Sequence, residues 1–183
     1  MIDYLNKTHN LRLKNPKKFN ETVLTSVLNL FPNSKKKQEI VNTKISILKA
    51  LDKKYQNFSM MHPLRVMFYS TMFFKKDLNL ILLSMFHNLF EIKKIQKIRY
   101  KKLLGKKLSN EINVLTMNKE KKFNDAYIKK YYKRLYKSSK NVKMVKCLDK
   151  FDNLYNLYKN SNTSVKIKYL DEINKFIMPL AKK

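Results

Sequence analysis

The chain has 183 residues, 44% of them hydrophobic and with aromatics spread throughout, which suits one packed domain, leaves no room for two comfortable ones and excludes global disorder. Its formal net charge is +28, with 41 Lys and Arg against 13 Asp and Glu, a field that attracts polyanions. The single cysteine, Cys147, excludes an internal disulfide, and neither the N-terminal stretch MIDYLNKTHNLRLKNPKK nor any later run is apolar enough for a signal peptide or a bilayer span, so a cytoplasmic protein without a membrane partner is expected.

Gly105 is the only glycine, and a hairpin-rich β fold needs more, so helices are favoured from the outset. Residues 18–31 carry apolar positions at Val23, Leu24, Val27, Leu28 and Leu30 before Pro32 stops the pattern. Ser34 then predicts the N-cap of a helix running to about Tyr55. A new helix is expected from about Met61, with Pro63 in its first turn, where a missing N–H costs nothing. Asp77 is placed to cap DLNLILLSMFHNLFEI, which is apolar around most of its circumference and reads as the central buried helix. Further helices are predicted at about 95–104, 109–118, 122–137, 141–160 and 164–178, and no segment alternates with period two. The expectation is an all-α, single-domain helical bundle, with a motif-free N-terminal extension over 1–44 packed with a main body over 45–183.

The charge is carried by lysine. Only Arg12, Arg65, Arg99 and Arg134 are arginine, the residue suited to bidentate phosphate and base contacts, so most of the lysines read as a solvated surface. In the basic tract YIKKYYKRLYK, 127–137, a helix places Tyr127, Tyr131 and Leu135 on one stripe, as an amphipathic helix packing its apolar side does. Nucleic acid is therefore a partner only through general basic charge, and a basic helical nucleic-acid-binding protein is the third functional reading.

Polar residues interrupt apolar faces at His62 in MMHPLRV, at His87, Asn88 and Glu91 in the central helix, and at Asp149 and Asn153 in VKCLDKFDNLYNL. His87 with Glu91, and Asp149 with Asn153, are spaced i,i+4, which puts each pair on one face of its predicted helix. Singly, each is explained as a hydrogen-bonded core residue. Two histidines and a carboxylate converging from separate helices instead supply the N and O donors that suit Mn, Fe, Co or Zn.

The order of these stretches resembles the HD-domain metal-dependent phosphohydrolases, in particular the hydrolase half of the RelA/SpoT alarmone enzymes and their small single-domain relatives. HPLRV, 62–66, is similar to that group's H-P-L-x-V; LSMFHNLFEI, 83–92, to L-L-H-D-x-x-E-D; and VKCLDKFDNL, 145–154, to V-K-L-A-D-R-L-H-N. EINVLT, 111–116, and the final KFIMPLAKK resemble two further landmarks, so that the resemblance covers about residues 45–183. It implies an HD-like helical bundle in which His62, His87 and Asp149 ligate a divalent metal, Mn first, with Asn88 in the place of the usual fourth ligand, an aspartate. Glu91 corresponds to the acid that orients or deprotonates the attacking water, Asn153 to an asparagine that contacts substrate, and Ile92 stands where a second acid is usual. Lys53, Lys54, Arg65 and Lys146 are the expected phosphate contacts. The implied activity is hydrolysis of a phosphate or pyrophosphate ester, with a nucleotide of the guanosine tetraphosphate type as the leading substrate. Asn88 and Ile92 support the alternative of a degraded HD domain that binds nucleotide or regulates without turnover.

Overall fold

Asn15 accepts a hydrogen bond from the Lys18 amide and Pro16 opens the first long helix, α1 (Pro16–Leu28), in a computed structural model that describes residues 10, 14–29, 31–56, 58–74, 77–122, 124–157 and 161–182. Phe19, Val23 and Val27 of this helix are buried, and the Phe19 ring meets Phe68 edge-on at 6.0 Å; Leu30 lies outside the described residues. Helix α2 (Lys35–Lys54) follows with Val41, Ile45, Leu48 and Leu51 buried along one stripe. Ser34 is at its N-cap but makes no side-chain bond there. The described part of the 1–44 segment contributes Phe19, Val23, Val27, Phe31 and Val41 to the same core as the rest.

Three helices form the centre. Helix α3 (Met61–Phe73) begins with His62 and Pro63 in its first turn and buries Leu64, Val66, Met67 and Phe68. Helix α4 (Leu78–Phe86) is capped by Asp77, whose carboxylate accepts from the Leu80 amide at 3.0 Å, and every residue from Leu80 to Phe86 is buried. Helix α8 (Lys140–Leu157) packs against both; α3 carries His62, α8 carries Asp149 and Asn153, and His87, Asn88 and Glu91 follow the end of α4.

Around them lie α5 (Lys97–Leu104), α6 (Lys106–Leu115), α7 (Asp125–Tyr136) and α9 (Thr163–Glu172), then a π-helical turn (Ile173–Ile177) and α10 (Met178–Ala181). All described elements are helical, and the predicted all-α single domain is what the chain forms. In α7, Tyr131, Tyr132 and Leu135 are buried and Tyr127 stacks on Tyr131, so the aromatics of the basic tract pack inward.

Two predicted helices end differently from expectation. The helix expected to run through Ile92 stops at Phe86, with His87 as its C-cap, and a 3₁₀ turn (Leu89–Glu91) follows. Asn88 adopts φ −103°, ψ 9°, a conformation outside the helix that asparagine tolerates well, and Ile92 is extended and buried. His87 and Glu91 therefore do not share a helix face. The helix predicted over 164–178 widens into the π turn because Pro179 has no N–H for the Lys175 carbonyl and its ring crowds that group; the Met178 amide bonds to Ile173 O instead.

Gly105 joins α5 to α6 with φ 84° and ψ 161°, a region that side chains disfavour strongly. A Cβ there would meet nothing within 4 Å, so the cost of substitution is in the backbone alone. Gly105→Ala is expected to destabilise the protein by about 1–3 kcal/mol, as measured by urea denaturation.

Candidate metal centre

His62 is presented by the first turn of α3, His87 by the C-cap position of α4 and Asp149 by the middle of α8. Their donor atoms meet: His62 Nε2 lies 3.0 Å from His87 Nε2 and 3.1 Å from Asp149 Oδ1, and His87 Nε2 is 3.7 Å from the same oxygen. Among the described residues this is the group of His, Cys and acidic side chains able to hold a metal ion. Helix packing thus gathers residues separated by 25 and 87 positions in the chain.

Each ligand candidate is held from behind. His87 Nδ1 donates to the Ser84 carbonyl at 2.8 Å, which leaves its Nε2 facing the cluster. Asp149 accepts from Lys146 Nζ through Oδ2 and from Asn153 Nδ2 through Oδ1, both at 2.9 Å. The i,i+4 pair predicted on α8 is therefore a direct contact.

Charge is distributed accordingly. Burial opposes the His62 cation, but hydrogen bonds to Asp149 and Asp152 outweigh it and raise this histidine to about 9. Burial and the neighbouring His62 charge lower His87 to about 4. Burial opposes the Asp149 anion, yet Lys146 and the two histidines hold it well below the usual carboxylate range. Lys146, 6% exposed, is raised by Asp149 in spite of burial.

The donor set fits a divalent ion. Two imidazoles and a carboxylate are the right chemistry, and Asn88 adds an observation of its own: its carboxamide oxygen is buried without any hydrogen-bond partner. Ser84 Oγ, one turn earlier, is buried without a partner too, so the orphaned Asn88 oxygen is compatible with a ligand role without assigning one.

Asn88 and Glu91 also form part of the wall of a cleft of about 730 Å³, whose opposite sides bring Lys93, Lys97, Lys119 and Arg134. Glu91 Oε1 accepts from the Met117 amide at 3.1 Å and Oε2 lies 3.5 Å from Lys119 Nζ. The expected phosphate contacts lie elsewhere. Lys53 and Lys54 are exposed in the last turn of α2, with the Lys54 ammonium over the Tyr55 ring at 5.4 Å, Lys146 is buried on Asp149, and Arg65 is engaged by Asp152. None of the four lines this cleft.

Asp152 was not singled out from the sequence. It is fully buried, and it accepts from His62 Nδ1 and from both Nε and Nη2 of Arg65, each at 2.8 Å. A signal existed: Arg65 lies one helical turn beyond His62 on a face otherwise apolar, and a guanidinium largely withdrawn from water calls for a carboxylate. No family model matches the chain, and no curated protein or solved structure matches it at a significant level.

Proposed function

We propose that the protein is a metal-dependent phosphohydrolase of the HD type, acting on a phosphate or pyrophosphate ester of a nucleotide, with a guanosine tetraphosphate-type alarmone as the leading substrate. The observation that carries this reading is the convergence of His62, His87 and Asp149 from three helices within 3.0 to 3.7 Å of one another. His62, His87, Asp149 and the Asn88 oxygen would hold the ion. Bound there, a divalent metal, Mn or alternatively Fe, Co or Zn, lowers the pKa of water and polarises a phosphoryl oxygen.

The chain's own groups supply the rest. Glu91 is pinned through Oε1 by the Met117 amide, and its Oε2, 3.5 Å from the largely exposed Lys119 ammonium, is the oxygen that would orient a water and accept its proton beside the Asn88 wall. Lys93, Lys97 and Lys119 line the same cleft and suit the phosphates of a substrate. Asn153 holds the Asp149 carboxylate, a contact that fixes the ligand whether or not substrate also reaches it.

A second reading is a nucleotide-binding or regulatory module without turnover. It is favoured by Ile92, which is buried among apolar residues where a second acid is usual, and by the neutral amide of Asn88. The nucleic-acid reading is disfavoured because Tyr131 and Tyr132, which would have to stack on bases, are buried.

Elemental mass spectrometry after exposure to Mn, Fe and Zn tests the centre. The parent is expected to retain roughly one equivalent and the His87→Ala variant none. Metal with release of phosphate or pyrophosphate from nucleotide esters supports the hydrolase; metal and nucleotide binding without release supports the silent module. A parent that takes up no ion under any of these conditions sinks the metal-centre reading.

A further inference from the structure

Asp149 and Asp152 lie three residues apart on α8, so that one helix face offers carboxylates to opposite nitrogens of a single imidazole. Asp149 Oδ1 approaches His62 Nε2 at 3.1 Å, and Asp152 Oδ2 approaches His62 Nδ1 at 2.8 Å. Asp152 is not itself one of the gathered donors. Both of its oxygens are already committed: Oδ2 accepts from the ring and from Arg65 Nη2, and Oδ1 accepts from Arg65 Nε. The guanidinium fork fixes the carboxylate plane, and the fixed carboxylate fixes the ring.

We infer that Asp152, clamped by Arg65, is a positioning residue for the metal centre: it holds His62 in the tautomer that offers Nε2, and through that ring it returns the negative character which the neutral Asn88 amide withholds. The inference rests on the metal-binding reading above. A histidine ligand that donates its second N–H to a carboxylate is a stronger base toward its metal, and losing such a partner typically costs about 10- to 100-fold in affinity. In this chain the effect is needed more than usual. An aspartate at position 88 would bring a full charge to the ion, whereas an amide oxygen brings only a dipole. The buried Asp152 charge would stand one imidazole away from an ion held by His62, and Arg65 makes its burial tolerable.

The test is a double-mutant cycle read as Mn(II) affinity on the full chain, by calorimetry or by electron paramagnetic resonance of free Mn(II). Asp152→Asn is expected to weaken binding about 10- to 100-fold. In an Asn88→Asp background the same change is expected to weaken it several-fold less, because a direct carboxylate then supplies the charge. A purely structural Asp152 would lower thermal stability while leaving the Mn(II) affinity of the folded fraction unchanged, and that result overturns the inference. So does an equal loss in both backgrounds.

Should Asp152→Asn fail to fold, the parent itself decides. With ¹⁵N-histidine and Zn(II) bound, His62 is expected to carry its proton on Nδ1 and its metal on Nε2; the reverse assignment overturns the inference. A parent that binds no metal defeats the proposed function together with this inference, whereas a parent that binds metal and a variant that binds it equally defeat this inference alone.

Discussion

Asp149→Ala is expected to destabilise the metal-free protein by about 3–5 kcal/mol, the usual cost of removing one partner from a buried ion pair. The residue that suffers is Lys146. Its ammonium is 6% exposed and is held by Asp149 Oδ2 at 2.9 Å, with the Tyr131 ring 5.5 Å away. A desolvated cation–π contact is worth about 2 kcal/mol, less than the ion pair that is lost, so the charge is left undercompensated in the core. Asn153 and His62 lose an acceptor as well, although His62 keeps Asp152. Urea denaturation in the presence of a chelator measures the loss. Changing Lys146 to Met in the same chain is expected to return much of it, because the stranded charge goes too; a double variant no more stable than Asp149→Ala would show that the cost lies elsewhere.

The stability of the metal-free protein is expected to peak near pH 6.5 and to fall on both sides. His62 is raised to about 9 from an ordinary 6.5, so the folded state binds its proton more tightly than the unfolded state does. Its contribution is complete below pH 6.5 and is lost as pH rises through 9. On the scale of 1.36 kcal/mol per unit, that loss is on the order of 3 kcal/mol. His87 works in the opposite sense: lowered to about 4, it stays neutral in the fold while the unfolded chain takes up the proton. Its contribution is present above pH 6.5 and drains away as pH falls towards 4. The depressed carboxyls of Asp149 and Asp152 add to the acid limb, since their stabilisation is lost when they protonate. Urea midpoints between pH 5 and 9.5 in a chelator check the shape. A curve flat above pH 6.5 would mean that His62 is not charged between its two carboxylates.

The helices were legible where apolar residues recur along one stripe, as Val41, Ile45, Leu48 and Leu51 do in α2. His62, His87 and Asp149 were legible for the opposite reason, as polar groups on faces that should be apolar, and packing of α3, α4 and α8 brings them together. The end of α4 was not. Apolar residues around most of the circumference of DLNLILLSMFHNLFEI erase the periodicity that would have revealed a break, since Leu80–Phe86 and Leu89, Phe90 and Ile92 beyond it are all buried. Asp152 was hidden because a second carboxylate three residues from Asp149 reads as solvated unless its Arg65 partner on another helix is known. The cleft escaped notice for a similar reason: its walls come from the turns around 88–97 and 116–120 and from α7, and nothing in the local pattern of those segments says that they face one another.

Lys150, on the same helix as Asp149, is 7% exposed and finds its counter-charge on Glu172, 22 residues later, with a 2.8 Å contact. Glu172 also accepts from the Tyr132 hydroxyl, and Tyr136 donates to the Phe176 carbonyl in the π turn, so the C-terminal segment clasps both α7 and α8. During synthesis the chain emerges from its N-terminal end, and α8 leaves the ribosome before that clasp exists. Until Glu172 follows, seating α8 against α3 and α4 would strand an ammonium in the core. The counter-charge of a lysine buried on the helix that bears Asp149 is in this way supplied by a segment that follows it in the chain.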